Sequence, residues 1–174
     1  MPVISDGDRV VADSFAIALY LDEAYPDRPA LFGGEGGKAM ARFIERWSQL
    51  TIHPYVTTAA LVDLHAMQDE ENAVYFRQSR EQRFGKKLED VVVARDDGLA
   101  AFQAALEPLR SMLGYQTFIG GASPLFADYI VFGALQWARI ASPYQLLDES
   151  DVVAQWFDRC LDLHGKRGRK VAAA

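Results

Sequence analysis

The chain has 174 residues, a hydrophobic content of 50% and a net charge of −6, which is the composition of a globular protein with enough apolar material for a core. The negative charge argues against general nucleic-acid binding, because that binding needs a basic surface that displaces counterions. One cysteine excludes an intrachain disulfide. Residues 1–5 do not follow the basic and then apolar pattern of a signal peptide, and no apolar run reaches membrane-spanning length. We therefore expect a cytoplasmic protein with neither nucleic acid nor a membrane as a partner.

The first 25 residues carry the only strand signals. Residues 2–5 and 9–12 are short β-branched runs separated by Asp6-Gly7-Asp8, and an Asp-Gly pair between such runs favours a hairpin because both turn positions tolerate positive φ. Asp13 and Ser14 precede apolar residues at helical spacing, and either is suited to cap that helix. The pattern predicts two strands and a helix. Because that is too little for a stable domain, we interpret it as the tail of a sheet whose first strands are absent.

The rest of the chain has helical patterns. Prolines and glycines across residues 26–37 indicate a linker. The residues near 126–140 are apolar nearly all round, which predicts a helix at the buried centre of a bundle. The basic residues from 165 onward are typical of a frayed end. The predicted helices span residues 38–65 with a bend near Pro54, 72–84, 88–113 with a kink at Pro108, 126–140 and 152–163. The prediction is a mostly α fold, with a β-β-α segment at 1–25, a linker at 26–37 and an all-helical domain at 38–174.

The ordered pattern Pro-Val-Ile, Asp-Gly, and Val-Val-Ala-Asp-Ser-Phe-Ala-Ile-Ala-Leu-Tyr-Leu resembles the end of the thioredoxin-like domain of glutathione transferases. By this resemblance, Pro2 is the family's cis proline. Met1 stands where the family has valine, and its backbone would pair with the cysteinyl part of glutathione. Asp13 and Ser14 match the acidic residue and serine that hold the γ-glutamyl end. The implied fold is a partial thioredoxin-like segment followed by an all-helical glutathione transferase C-terminal domain.

The chemistry of Asp13 and Ser14 supports that role independently of the resemblance. A helix N-terminus offers free N–H groups and a positive dipole end, so it binds a carboxylate well. The serine hydroxyl is a further donor, and the aspartate can accept from the ligand's ammonium. The alternative is that Asp13 and Ser14 only cap the helix, which is a common use of this dipeptide.

The helical part has a match of its own. Residues 120–128, Gly-Gly-Ala-Ser-Pro-Leu-Phe-Ala-Asp, resemble the family's loop and buried helix start. Asp128 should accept hydrogen bonds from backbone N–H groups there, as half of a capping box. Leu125 departs from the serine or threonine that the family has three residues earlier, which puts the reciprocal half in doubt. The role expected of Asp128 is structural.

Two stretches, residues 75–89 and 127–139, look like the bacterial lignin β-aryl-etherase group and its fungal relatives. Those enzymes use the glutathione thiolate to displace an aryloxide from an aromatic ether. The resemblance implies glutathione as co-substrate and a hydrophobic electrophilic small molecule as partner. It also implies a homodimer in which the first domain of one subunit pairs with the helical domain of the other.

The residue that activates the glutathione thiol in this family is a Ser, Tyr or Cys in a β-α-β unit that would precede Met1. No residue of this chain can be assigned that catalytic role, and a thiol without a donor or a positive field stays mostly protonated near neutral pH. Two functions remain open. The first is glutathione conjugation or glutathione-dependent aryl ether cleavage, impaired in the chain as given. The second is a non-catalytic helical binding domain derived from a glutathione transferase.

The histidines, the cysteine and the aromatic residues are the other candidates for chemistry. The three histidines are too widely spaced for a metal-ligand pattern and are expected to be structural, although the resemblance places His53 or Tyr55 where either could face a substrate cleft. Cys160 is expected to be a small core residue, because it has no cationic neighbour to activate it. One aromatic set is expected to fill the bundle core: Tyr129, Phe132, Trp137 and Trp156.

Overall fold

The computed structural model describes residues 1–174 as a two-stranded hairpin followed by ten helices. The mostly α fold is confirmed, and no strand follows the hairpin. The strands are β1 (Val3–Asp6) and β2 (Arg9–Ala12). The helices are α1 (Ser14–Ala24), α2 (Glu35–Ala59), α3 (Leu61–Ala66), α4 (Glu70–Phe84), α5 (Leu88–Val93), α6 (Arg95–Ala105), α7 (Glu107–Leu113), α8 (Phe126–Ala141), α9 (Val152–Leu161) and α10 (Leu163–Lys170).

The hairpin forms as its Asp-Gly turn predicts. β1 and β2 pair antiparallel with Val3 opposite Ala12, and Gly7 in the turn has φ 57°, a value that glycine adopts without strain. The hairpin is tied to α1 because Asp6 accepts hydrogen bonds from two tyrosine hydroxyls of that region. The predicted arrangement of two strands and one helix is therefore confirmed.

An aromatic cluster joins α1 to the helical bundle. The rings of Phe15, Phe32 and Phe126 lie 5.4 to 5.5 Å apart, a spacing at which tilted aromatic pairs attract one another. The guanidinium of Arg42 lies 3.4 Å from the centre of the Phe15 ring. Because these contacts connect α1, α2 and α8, they fix the start of α1 relative to the bundle.

The glycine-rich stretch before the bundle is partly helical, since α2 begins at Glu35 rather than at the predicted Lys38. Gly37 lies in the first turn of α2 against the preceding loop. A Cβ atom at this position would lie 1.5 Å from the carbonyl oxygen of Phe32, so only glycine allows this close approach.

The bundle core lies between α2, α6, α7, α8 and α9, with α2 and α8 packed along each other at its centre. One face of α8 is buried there, as the apolar sequence predicts. Its opposite face is not buried: Trp137 is 38% exposed. The prediction of a fully buried α8 therefore holds for one side of the helix only, and the other side borders a cleft.

Two predicted long helices are interrupted in the structure. The first continues through Pro54 and breaks at Ala60, where φ is −95° and ψ is 8°. The second is divided at Ala94 and Leu106, whose ψ angles are both −1°. Pro108 lies in the first turn of α7 instead of kinking a longer helix. Proline is tolerated there because a first-turn N–H has no intrahelical acceptor.

The C-terminal residues, predicted to fray, instead lie along α8. The Gln136 amide donates to the carbonyl of Gly168 at 2.8 Å, and the Arg139 guanidinium donates to that of Val171 at 2.9 Å. The Ala174 N–H donates to the Arg139 carbonyl at 3.1 Å. The prediction was wrong because polar side chains of α8 provide these partners, which composition alone does not reveal.

Helix α4 differs from the others because none of its residues is buried. It is capped by Asp69 and ends at Gly85 in the left-handed conformation. Arg77 pairs with Glu81 within α4 at 3.0 Å, and it holds α4 to α5 through an oxygen of Glu89 at 2.8 Å. None of the ten helices combines the length and apolar character needed to cross a membrane.

Candidate functional site

The structure brings the four predicted binding residues to one end of the hairpin. The Asp13 N–H donates to the carbonyl of Pro2 at 3.1 Å. This hydrogen bond extends the β1–β2 ladder by one residue pair. Met1, Pro2, Asp13 and Ser14 are all exposed there. The Met1–Pro2 peptide is trans, contrary to the expected cis bond. Met1 is 90% exposed, so no packing opposes the intrinsic trans preference of about 0.5–1 kcal/mol.

Asp13 caps α1 and still presents a carboxylate oxygen. Its Oδ1 accepts from the N–H groups of Phe15 and Ala16 at 3.0 Å each, while Oδ2 makes no hydrogen bond within the protein. Its φ of 81° is unusual for a residue other than glycine, and such strain concentrates at functional positions. The Ser14 hydroxyl also makes no hydrogen bond within the protein. The capping role is thus present, and one oxygen of each side chain remains available.

Ser14 opens onto a cleft of about 330 Å³ between α2 and α8. The α2 wall is polar and consists of side chains spaced by about one helical turn. The α8 wall is mainly aromatic and apolar. The α2 residues are Glu45, Gln49 and His53, and the α8 residues are Phe126, Tyr129, Ile130, Gly133, Ala134 and Trp137. The cleft therefore joins a helix N-terminus to a surface that suits a ring-containing molecule.

Of the two residues that the resemblance places near a substrate cleft, His53 lines the cleft and Tyr55 does not. The Tyr55 hydroxyl donates to the carbonyl of Arg95 at 2.7 Å, and its ring stacks on Phe102 at 4.5 Å. His53 Nδ1 lies 3.2 Å from the carbonyl oxygen of Ser48. Tyr55 is thus a packing residue of the bundle.

Tyr129 and Trp137 were expected in the core, and both line the cleft instead. Trp156 is fully buried and Phe132 half-buried, in keeping with the expectation. The Tyr129 hydroxyl lies 2.9 Å from Nε2 of His164. Burial raises the pKa of Tyr129, and the negative charge of Asp128 adds to this, so the hydroxyl stays protonated at neutral pH.

Asp128 is buried and structural, as predicted. Its carboxylate accepts from the backbone N–H groups of Ile119, Gly120 and Leu125 at 2.7 to 3.0 Å, and from the indole N–H of Trp156 at 2.9 Å. Leu125 has no side-chain acceptor, so the Asp128 N–H donates to the Leu125 carbonyl at 2.9 Å. The doubtful half of the capping box is thus replaced by a backbone bond.

Cys160 packs in the core as expected. Burial, together with the nearby Asp128 charge, raises the pKa of its thiol to about 12. Because the thiolate is the reactive form, the burial and raised pKa of Cys160 disfavour nucleophilic chemistry at this sulfur.

Comparison with known proteins identifies the helical part. Residues 39–162 match the family model described as "Glutathione S-transferase, C-terminal domain". The glutathione S-transferase-like protein ustS of Aspergillus flavus is 31% identical over 150 residues, which are 79% of this chain and 53% of that protein. Glutathione S-transferase Z1 of Arabidopsis thaliana is 58% identical over 31 residues, which are 18% of this chain and 14% of that protein. The chain thus spans about half the length of ustS.

Solved structures agree with this match. Glutathione transferase GSTFuA3 from Phanerochaete chrysosporium superposes with a TM-score of 0.72 and 30% identity, over 98% of this chain and 67% of that one. The glutathione S-transferase CsGST83044 of Ceriporiopsis subvermispora, crystallised with glutathione, has a TM-score of 0.69 and 24% identity over 98% of this chain and 68% of that one. The family match covers most of the chain and the fold agrees throughout, so this chain belongs to the glutathione S-transferase family.

Proposed function

We propose that the protein is a glutathione-dependent transferase acting on a hydrophobic aromatic electrophile, by conjugation or by cleavage of an aryl ether. The observation that carries the proposal is the cleft in which the Ser14 hydroxyl, at the N-terminus of α1, meets the aromatic wall of α8. A relative of the same fold, the C. subvermispora enzyme, was crystallised with glutathione. The two sequence stretches that resemble β-aryl-etherases support the ether-cleaving form of the reaction.

Glutathione would bind with its γ-glutamyl end at the start of α1. The ligand's carboxylate would accept from the Ser14 hydroxyl and from the Ser14 N–H, the one first-turn amide that the Asp13 cap leaves without a partner. Its ammonium would pair with Oδ2 of Asp13, the oxygen that capping leaves available. The backbone of Met1 and Pro2 lies beside Asp13 and would pair with the cysteinyl part. We assign these four residues to the binding of glutathione as co-substrate.

The chemistry would come from the sulfur of glutathione. Its thiolate would attack the electrophilic carbon and form a C–S bond, while the C–O bond breaks and the aryloxide departs with the electron pair. No side chain of this chain is assigned to deprotonate the thiol. We therefore propose that the 174-residue chain binds glutathione weakly and is impaired as a catalyst.

The test is a titration of the isotope-labelled chain with glutathione, followed by the backbone amide signals of Ser14 and Phe15. Ser14→Ala should weaken binding by roughly 1–3 kcal/mol, the cost of losing a hydrogen bond to a charged group. Asp13→Asn is the matched variant for charge, because asparagine tolerates positive φ and keeps the cap. It should weaken binding without lowering the melting temperature.

Three outcomes would argue for other conclusions. If glutathione shifts these signals as strongly in Ser14→Ala and Asp13→Asn as in the unmodified chain, these residues only cap α1. If glutathione shifts no signals in any of the three proteins, a non-catalytic helical binding domain is the better description. If the unmodified chain binds glutathione tightly, the proposed impairment is wrong.

We also propose that the protein forms a homodimer in which the first domain of one subunit pairs with the outer face of α2 in the helical domain of the other. Phe43 and Leu50 are 69% and 71% exposed on this helix, and Phe43 borders an apolar groove formed with Trp47, Pro108 and Met112. Exposed apolar surface of this kind marks protein contacts. Sedimentation velocity should detect self-association that Phe43→Asp abolishes, and a strictly monomeric protein at high concentration would contradict the proposal.

A further inference from the structure

We propose that a second cavity, between α8, α9 and the loop that joins them, binds a small aliphatic carboxylate, with Arg139 as the partner of the carboxylate group. The loop cavity is defined as the space bordered by residues 135–142, residues 143–149, and Ala154 and Phe157 of α9. Its volume is about 390 Å³, which lies in the range of small-molecule sites. It shares no lining residue with the cleft that contains Ser14, so the inference is independent of the proposed function.

The walls of the loop cavity are mainly apolar. Leu135 and Ala138 of α8 are buried beneath it. The partly buried Leu146, Leu147 and Phe157 line it where they pack against the bundle core. Protein cores are close-packed, so an apolar space of this size beside the core indicates a ligand rather than loose packing. A hydrocarbon chain in the cavity would remove this apolar surface from water, which is favourable in proportion to the area covered.

Hydrogen bonds hold the loop in place above the cavity. The Tyr144 hydroxyl donates to a carboxylate of α6 at 2.8 Å. The Gln103 amide, also on α6, donates to the carbonyl of Leu146 at 3.3 Å. Where the loop meets α9, Asp151 pairs with Arg110 of α7 at 2.8 Å. Because the loop is already anchored to α6 and α7, a ligand would not have to order it, which lowers the cost of binding.

Arg139 determines which charge the loop cavity prefers. Its Nη1 donates to the carbonyl of Val171 at 2.9 Å and to Oε1 of Gln136 at 3.5 Å. Its Nε and Nη2 groups make no hydrogen bond within the protein, and the guanidinium makes no salt bridge. A carboxylate suits this position, because its two oxygens can accept from the N–H groups that remain without partners.

The other charged side chain of the lining, Glu149, has the opposite sign. Glu149 is exposed on the loop, whereas Arg139 is half-buried. Charges interact more strongly where water is partly excluded, so an anion is attracted to Arg139 more strongly than a cation is attracted to Glu149. The ligand class is therefore a hydrocarbon chain with one carboxylate.

The experiment is an amide-shift titration of the isotope-labelled chain with octanoate, 1-octanol and octylammonium, three probes with the same hydrocarbon chain. Octanoate should shift the amide signals of Leu147 and Ala154. It should bind about three- to tenfold tighter than 1-octanol, the effect of one partly buried ion pair, and octylammonium should bind most weakly. Octanoate that binds no tighter than the other two probes, or that shifts only amides of the cleft such as Ser14 and Gly133, would overturn the inference.

Two variants of Arg139 separate its charge from its contact with the C-terminal residues. Arg139→Gln should bind octanoate and 1-octanol with equal affinity, because the cation is lost and the apolar walls remain. Arg139→Lys keeps the charge without the planar guanidinium, so it should retain part of the preference for octanoate. An undiminished preference in Arg139→Gln would show that Arg139 is not the partner of the carboxylate.

Ala154→Leu tests whether the ligand occupies the loop cavity. The larger side chain fills part of the space, so octanoate should bind at least about tenfold more weakly. Leucine favours the helix nearly as well as alanine, and a thermal melt checks that the variant is folded. Ala101→Leu is the matched control, because Ala101 is exposed on α6 and lies outside the cavity. Equal octanoate affinity in Ala154→Leu and Ala101→Leu would refute the proposed site.

Discussion

Replacing Asp128 by asparagine tests whether one buried carboxylate organises the core. In the structure all four of its partners are donors: three backbone N–H groups and the indole of Trp156. The single oxygen of asparagine can accept from the two donors that now share one carboxylate oxygen. Its NH2 group is itself a donor, so the other two donors would lose their acceptor. Leaving two buried donors unpaired should cost about 2–6 kcal/mol, at roughly 1–3 kcal/mol each. This is a large share of a total stability of about 5–15 kcal/mol.

The measurement is urea unfolding, followed by far-UV circular dichroism, for Asp128→Asn, Trp156→Phe and the double variant. Because both changes affect one hydrogen bond at 2.9 Å, the double variant should lose less stability than the sum of the two single variants. Asp158→Asn is the control, since its side chain is 64% exposed and pairs only on the surface. If Asp128→Asn costs no more than Asp158→Asn, the carboxylate does not have the organising role assigned to it.

Three further predictions concern other parts of the fold. Gly37→Ala should destabilise the protein by about 1–3 kcal/mol through overpacking. Gly36→Ala should stabilise it, because a Cβ atom there meets no atom within 4 Å and alanine favours the helix. Equal melting temperatures of the two variants would contradict this. Although burial alone raises the pKa of Asp151, hydrogen bonds from Arg110 outweigh it and hold that pKa below the ordinary 3.8. Its stabilising effect is therefore present above pH 3.8 and lost as pH falls through the lower folded-state pKa. Unfolding free energy measured across acidic pH should vary less in Asp151→Asn, and an unchanged pH profile would refute the assignment. Cys160, with a pKa of about 12, should react with a thiol reagent only when urea unfolds the chain, and rapid labelling of the native protein would contradict its burial.

The sequence predicts the elements whose signals are local. The Asp-Gly turn and the Asp13 cap each depend on a few neighbouring residues, and the structure contains both. The start of α8 is similar, because Asp128 accepts a hydrogen bond from a residue only three positions earlier. The domain boundaries at residues 25 and 37 remain predictions. The glutathione-binding roles also remain predictions, since testing them requires the bound ligand.

The sequence does not reveal which face of α8 borders the cleft. Tyr129 and Trp137 are large and apolar like the buried residues of that helix, so hydrophobicity alone assigns them to the core. The signal that could locate the cleft lies on α2, where Glu45, Gln49 and His53 recur every four residues.

The breaks at Ala60 and Leu106 cannot be predicted from the sequence either, because alanine and leucine favour a continued helix.

The absence of buried residues in α4 has a consequence for local stability. None of its own side chains belongs to the core, so its free energy of opening should lie well below that of global unfolding. Its attachment through Arg77 is exposed and ionic, and salt screens such pairs. Hydrogen exchange in α4 should therefore be fast and should accelerate with ionic strength, while the amides of α8 keep their protection. In a bundle organised by α2 and α8, α4 is thus the segment that can change its conformation at least cost to the rest of the molecule.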